Sequence, residues 1–89
     1  MKYVLFYESA ADVATTAALH FPAHRARWAQ FHAAGTLLLI GPFADRSGAM
    51  AVFTTRAAAE DFARADPFVT HGVIRSWSIR EWNEALAGT

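Results

Sequence analysis

An imidazole at position 24 and a carboxylate at position 66 are the side chains of this 89-residue sequence best suited to acid–base chemistry. His24 lies in an alanine-rich stretch, Pro22 to Ala34, whose large apolar members are Trp28 and Phe31. Four residues back from Trp28 is His24, so the ring shares the inward stripe of a helix. Imidazole titrates near neutral pH, and a ring removed from water needs a hydrogen-bond partner. Asp66, directly before Pro67 and Phe68 at the break of a second helical pattern, can supply one.

Each residue also has a purely structural reading. A buried histidine can simply be hydrogen-bonded inside a core, and perturbed titratable groups are often structural. An Asp before Pro is a good N-cap for the turn Pro67-Phe68-Val69-Thr70. In the chemical reading His24 is a general acid or base, and Asp66 orients the ring and stabilises its protonated form. A carboxylate has enough lone-pair sites to cap and orient at once.

The other candidates are weaker. His20 and His24 are spaced four apart, as metal ligands on a helix would be, but Pro22 reads as a first-turn residue and leaves His20 outside the helix. A third ligand would have to come from Asp12, Asp66 or His71 with no motif behind it, so no metal is assigned. His32 follows Phe31 and faces solvent. Gly41-Pro42 ends a strand, and it is either a plain turn or a rigid lip where a ligand meets bare backbone. Trp28, Trp77, Phe43 and Phe68 suit a core or interface as well as a substrate platform. Cysteine is absent, which removes thiolate nucleophiles, disulfides and zinc–thiolate sites. Neither a nucleophile elbow nor a phosphate loop is present.

Eight basic and eight acidic residues cancel without clustering, which argues against nucleic acid as a partner. At 54% hydrophobic and 18% charged, the chain is more apolar than an average soluble domain of its size. The surplus predicts a homodimer that buries apolar surface between two copies. No apolar run, Leu37 to Ile40 included, approaches the length of a membrane span. The stretch Met1 to Tyr7 meets Glu8 too soon for a signal peptide, so a cytoplasmic location is expected.

The chain reads as one domain over residues 1–89. Tyr3 to Tyr7 is an aromatic and β-branched strand, apolar on both faces and therefore central. Ser9 to Thr16 reads as a loop with a short helical turn. The first helix starts at Pro22 and stops at Gly35. Thr36 to Ile40 and Ala49 to Thr55 form an antiparallel hairpin around the turn Phe43 to Gly48. Thr55 caps a helix over Ala57 to Ala65, Val73 to Trp82 is the last strand, and the tail from Asn83 is expected to fray. The order β-α-β-β-α-β predicts an α+β, ferredoxin-like domain, an antiparallel four-stranded sheet with two helices on one face.

The residues Phe21-Pro22-Ala23-His24, Gly35 to Phe43, Gly48, Asp66-Pro67-Phe68, Gly72-Val73 and Ile79-Arg80-Glu81-Trp82, in that order, resemble the YciI-like (YCII-related) family over nearly the whole chain. That resemblance implies a dimeric α+β barrel and an active site whose His and Asp correspond to His24 and Asp66. It differs at Phe21, where an Arg commonly precedes the proline. One branch of the family looks like a dehydrochlorinase of chlorinated hydroxyquinols that uses no metal or organic cofactor. The leading reading is therefore a cofactor-free enzyme in which a His24–Asp66 dyad does acid–base chemistry on a small aromatic or unsaturated substrate. Gly41, Pro42, Phe43 and Phe68 would hold that substrate. The alternatives are a non-catalytic dimeric module that binds a small molecule or a partner protein, and a metal-free oxygenase-like barrel.

Overall fold

In the computed structural model, which describes residues 1–86, the chain runs through four strands and three helices. They are β1 (Lys2–Ser9), α1 (Val13–Ala33), β2 (Leu37–Pro42), β3 (Gly48–Phe53), α2 (Arg56–Ala65), α3 (Pro67–Thr70) and β4 (Ile74–Trp82). The strands form one antiparallel sheet in the order β2-β3-β1-β4, so β1 is central, as its apolar residues on both faces predict. Leu5 pairs with Ala51 on one side and Ile79 on the other. Because side chains alternate along a strand, Tyr3, Leu5 and Tyr7 share one face. On that face Leu5, Tyr7, Leu37, Ala51 and Phe53 meet Phe62 of α2 in the buried core, with Trp28 and Phe31 of α1 packed against it.

The first helix departs from expectation. It begins at Val13, and Pro22 lies inside it instead of in its first turn. An interior proline removes a backbone hydrogen bond and costs about 3 kcal/mol. The helix runs on through Pro22 in an alanine-rich sequence, and Val13, Ala17, Phe21, His24 and Trp28 recur at helical spacing along one side, of which His24 alone is buried. Thr15 and Thr16 mask this pattern, because β-branched residues disfavour helix and small Ala17 contributes little apolar signal. The C-terminus is as predicted. Gly35 adopts φ 81 beyond the last turn, its N–H donates to the His32 carbonyl, and the Thr36 N–H donates to the Phe31 carbonyl. This is a Schellman ending.

Smaller differences concern the strand ends. Gly41 and Pro42 belong to β2 and do not close it, a position open to proline because β2 is an edge strand. Gly48 is fixed by contact: a Cβ there would run into the Tyr7 carbonyl oxygen. In the tail expected to fray, the Glu84 carboxylate accepts from the N-terminal ammonium at 2.8 Å and from Lys2 Nζ at 2.9 Å. Those two hydrogen bonds hold its carboxyl down at about 2. Residues 87–89 of that tail lie outside the described residues. Among the described residues, no helix is long and apolar enough to cross a membrane.

Candidate active site

Pro67 cannot continue a helix, so α2 ends at Ala65 and Asp66 takes an extended conformation, φ −65 and ψ 127. Its Oδ1 accepts from the Phe68 N–H at 3.2 Å, which makes it the N-cap of α3. Capping alone would leave the carboxylate at the surface. Asp66 is instead fully buried. A buried carboxylate persists only with strong donors around it. Two more are present: the Tyr7 hydroxyl donates to Oδ2 at 2.5 Å, and His24 Nδ1 lies 2.7 Å from Oδ1. Thus β1, α1 and α3 each send one donor to a single acid.

The electrostatics fix the direction of these bonds. Burial pushes the Tyr7 phenol well above its usual range, Asp66's charge and hydrogen bond push the same way, and a pull down from Arg27 opposes them. Tyr7 therefore stays protonated and donates. A carboxylate can only accept, so His24 Nδ1 carries its proton and the second ring nitrogen, Nε2, is left for other partners.

Aromatic packing fixes the plane of the imidazole. The Phe68 ring stacks on it at 3.8 Å and 5°, and Trp28 meets it edge-on at 5.2 Å and 78°. His24 itself is buried, at 5% exposure. Among the described residues no buried side-chain nitrogen or oxygen lacks a hydrogen-bond partner. Among them Nε2 has no partner and is therefore not sealed off, and the His24 ring lines a cavity. This cavity, about 460 Å³, lies between α1 and the sheet. Val13, Ala17, Phe21 and Trp28 of α1 form one wall, and the early turns of that helix are therefore part of the site.

The structure brings most of the sequence-derived candidates together. His24, Asp66 and Phe68 are in mutual contact, and Gly41 and Pro42 line the cavity. Phe43 does not line it: the residue sits in the β2–β3 turn, 36% exposed. His20 lies inside α1, not outside it, and its ring stacks on His71 at 4.3 Å, so it does not converge with His24. His32 is exposed as expected, with Nδ1 donating to the Leu37 carbonyl at 3.0 Å. Tyr7 is the participant that the sequence reading missed. Its signal was a phenol on the inward face of a central strand, a group that needs an acceptor when buried.

The YCII-related domain model matches residues 1–83. A solved structure of the 5-chloro-2-hydroxyhydroquinone dehydrochlorinase TftG from Burkholderia phenoliruptrix AC1100, in complex with 2,5-dihydroxybenzoquinone, superposes with a TM-score of 0.78. The superposition covers 96% of each chain at 16% identity, a likeness of fold. No curated protein matches the chain.

The Tyr7–Asp66 bond makes alkaline stability a test of this geometry. The phenol's folded pKa is raised above the usual phenolic value near 10, so its contribution is complete below that pH. Above it the unfolded state binds fewer protons, and this one group lowers stability by up to about 1.4 kcal/mol per pH unit. Tyr7→Phe is expected to cost about 1.5–3 kcal/mol at pH 7, the usual range for a hydrogen bond to a charged group. The same variant should flatten the loss above pH 10. Denaturant unfolding at pH 7 to 11 checks both, and equal slopes in the two proteins would contradict the buried bond.

Proposed function

We propose that this chain, which belongs to the YCII-related family, is an acid–base enzyme in which His24 Nε2 transfers a proton and Asp66 sets the ring's tautomer. One observation carries the proposal: an imidazole with Nδ1 bonded to a buried carboxylate at 2.7 Å, on the wall of a cavity of about 460 Å³. Orienting one nitrogen so that the other is a free base is the division of labour that a His–Asp pair needs.

The cavity favours a small aromatic or unsaturated substrate. Phe21, Trp28 and Phe68 offer ring faces and edges, while the backbone of Gly41-Pro42 leaves a flat approach from the sheet side. The likeness of fold to a dehydrochlorinase supports elimination as the reaction class. A halogenated phenol first passes to its keto form, one O–H proton moving by way of Nε2 to the carbon that bears the leaving group and making it tetrahedral. A second proton, from a remaining O–H or an adjacent C–H, then passes to Nε2, and the electron pair it leaves forms the new double bond. The bond to a halide or similar group breaks, and the group departs with that bonding pair. The imidazolium, stabilised by Asp66, then returns its proton to solvent. Acid–base assistance of this kind gives about 10²- to 10⁴-fold, and positioning in the cavity supplies the remainder.

The test is chloride release from 5-chloro-2-hydroxyhydroquinone and from related halogenated phenols. His24→Ala should lower kcat about 10²- to 10⁴-fold. Because it also strips a donor from buried Asp66 it should lower the melting temperature, so turnover is compared at a temperature where circular dichroism shows both proteins folded. Wild-type turnover in that variant would refute the assignment.

We further infer that two copies pair through their sheets. Phe6, partly buried, alternates with the core-facing residues of β1 and so occupies the face opposite the helices, flanked there by Val4 and Val52, which are already buried within the single chain. Leu39, paired with Val52 and 69% exposed, extends that apolar surface. Sedimentation equilibrium should give twice the chain mass, and Phe6→Glu should shift it to the monomer. A wild-type monomer at micromolar concentration would rule the pairing out.

A further inference from the structure

The cavity is apolar apart from a few groups, and among the described residues lining it only Arg46 bears a permanent charge. Arg46 lies in the β2–β3 turn at φ 62, the one non-glycine residue at positive φ among those described. Glycine takes that conformation freely, whereas an arginine there is strained. Such strain persists where its surroundings fix it, and ligand clamps are among its common settings. Four bonds fix the turn, the first from the Phe43 N–H to the Gly48 carbonyl at 2.8 Å. The Arg46 N–H donates to the Phe43 carbonyl at 3.0 Å, the Ser47 N–H to Asp45 Oδ1 at 2.9 Å, and the Ser9 N–H to the Ser47 carbonyl at 2.9 Å.

The guanidinium itself is uncommitted. Arg46 forms no ion pair among the described residues. The adjacent acid, Asp45, turns its carboxylate to Ser47, whose hydrogen bonds lower its pKa. Arg46 is exposed on the turn that borders the hollow, and its planar fork suits oxygen anions.

We propose that Arg46 is the anion anchor of this site, and that the ligands taken are small planar anions: a phenolate, enolate or carboxylate on an unsaturated frame. This rests on the reading of the cavity as the substrate site with His24 as its base. The apolar body of the ligand fills the space between α1 and the sheet, its charged oxygen meets Arg46, and its acidic proton meets His24. When the proton leaves, negative charge grows on the conjugated oxygen, and a fixed cation stabilises that charge.

Calorimetry with two probes separates the claims. The first is 2,5-dihydroxybenzoquinone, an enolic acid that is anionic at neutral pH, and the second is its neutral dimethyl ether. Wild type should bind the anion at least tenfold more tightly than the ether, with the preference shrinking as salt rises. Arg46→Gly, which relaxes the turn, should keep or raise the melting temperature, lose at least tenfold on the anion and leave the ether unchanged. Arg46→Lys should recover part of the loss. Equal affinity of wild type and Arg46→Gly for the anion, or no preference in wild type, would overturn the proposal. His24→Ala should keep the anion preference. Lost turnover in His24→Ala beside unchanged anion binding in Arg46→Gly would remove Arg46's role and leave the acid–base reading standing. Normal turnover in His24→Ala with lost anion binding in Arg46→Gly would do the reverse.

Discussion

A carboxylate with no access to water governs this molecule. Burying an ionised acid costs several kcal/mol, and the structure offsets it with three hydrogen bonds to Asp66. Each comes from a different element, so one side chain ties the central strand, the long helix and the short helix after α2 into a single arrangement. The bond to Tyr7 sets how β1 faces the helices, the bond to His24 sets the rotation of α1, and the cap at Phe68 holds the ring that stacks on the imidazole. Fold and candidate site are thus one set of constraints. A substitution at Asp66 would disturb both.

Aromatic packing does the rest of the positioning. Phe62, fully buried, touches the rings of His24, Phe31 and Phe53, so the imidazole rests on the hydrophobic core and not on a mobile loop. Arg27 reinforces the same contact. Its Nε and a terminal nitrogen donate to the carbonyls of Phe62 and Asp61, and its guanidinium lies over the Phe31 and Phe62 rings. A rigid base beside a roomy apolar cavity is a favourable setting for proton transfer, because little has to reorganise when charge moves.

Much of this was legible from residue spacing. The order of strands and helices along the chain, the hairpin, the Gly35 stop, the Thr55 cap and the inward direction of His24 all follow from periodicity and local turn chemistry. Asp66-Pro67 announced a cap, and the burial of His24 called for an acceptor. Three things were hidden. Pro22 looked like a helix start because its local preference is strong, while the turns before it, with Val13 and Ala17 only partly buried and Phe21 exposed, carry little apolar signal. Phe43 looked like a wall residue because it follows Gly41-Pro42, yet the turn carries it outward. Tyr7 and Arg46 join the site only through distant pairing, β1 against the α2–α3 junction and a strained turn folded over the cavity, and neither lies near His24 or Asp66 in sequence.

The direct measurement is the protonation of the His24 ring, read by nitrogen-15 NMR of histidine-labelled protein at neutral pH. A protonated Nδ1 with a strongly deshielded, slowly exchanging hydrogen is expected, and Asp66→Asn should shift that resonance or speed its exchange. A ring whose Nδ1 is bare and whose only proton sits on Nε2 would contradict the buried His24–Asp66 bond and the chemistry built on it.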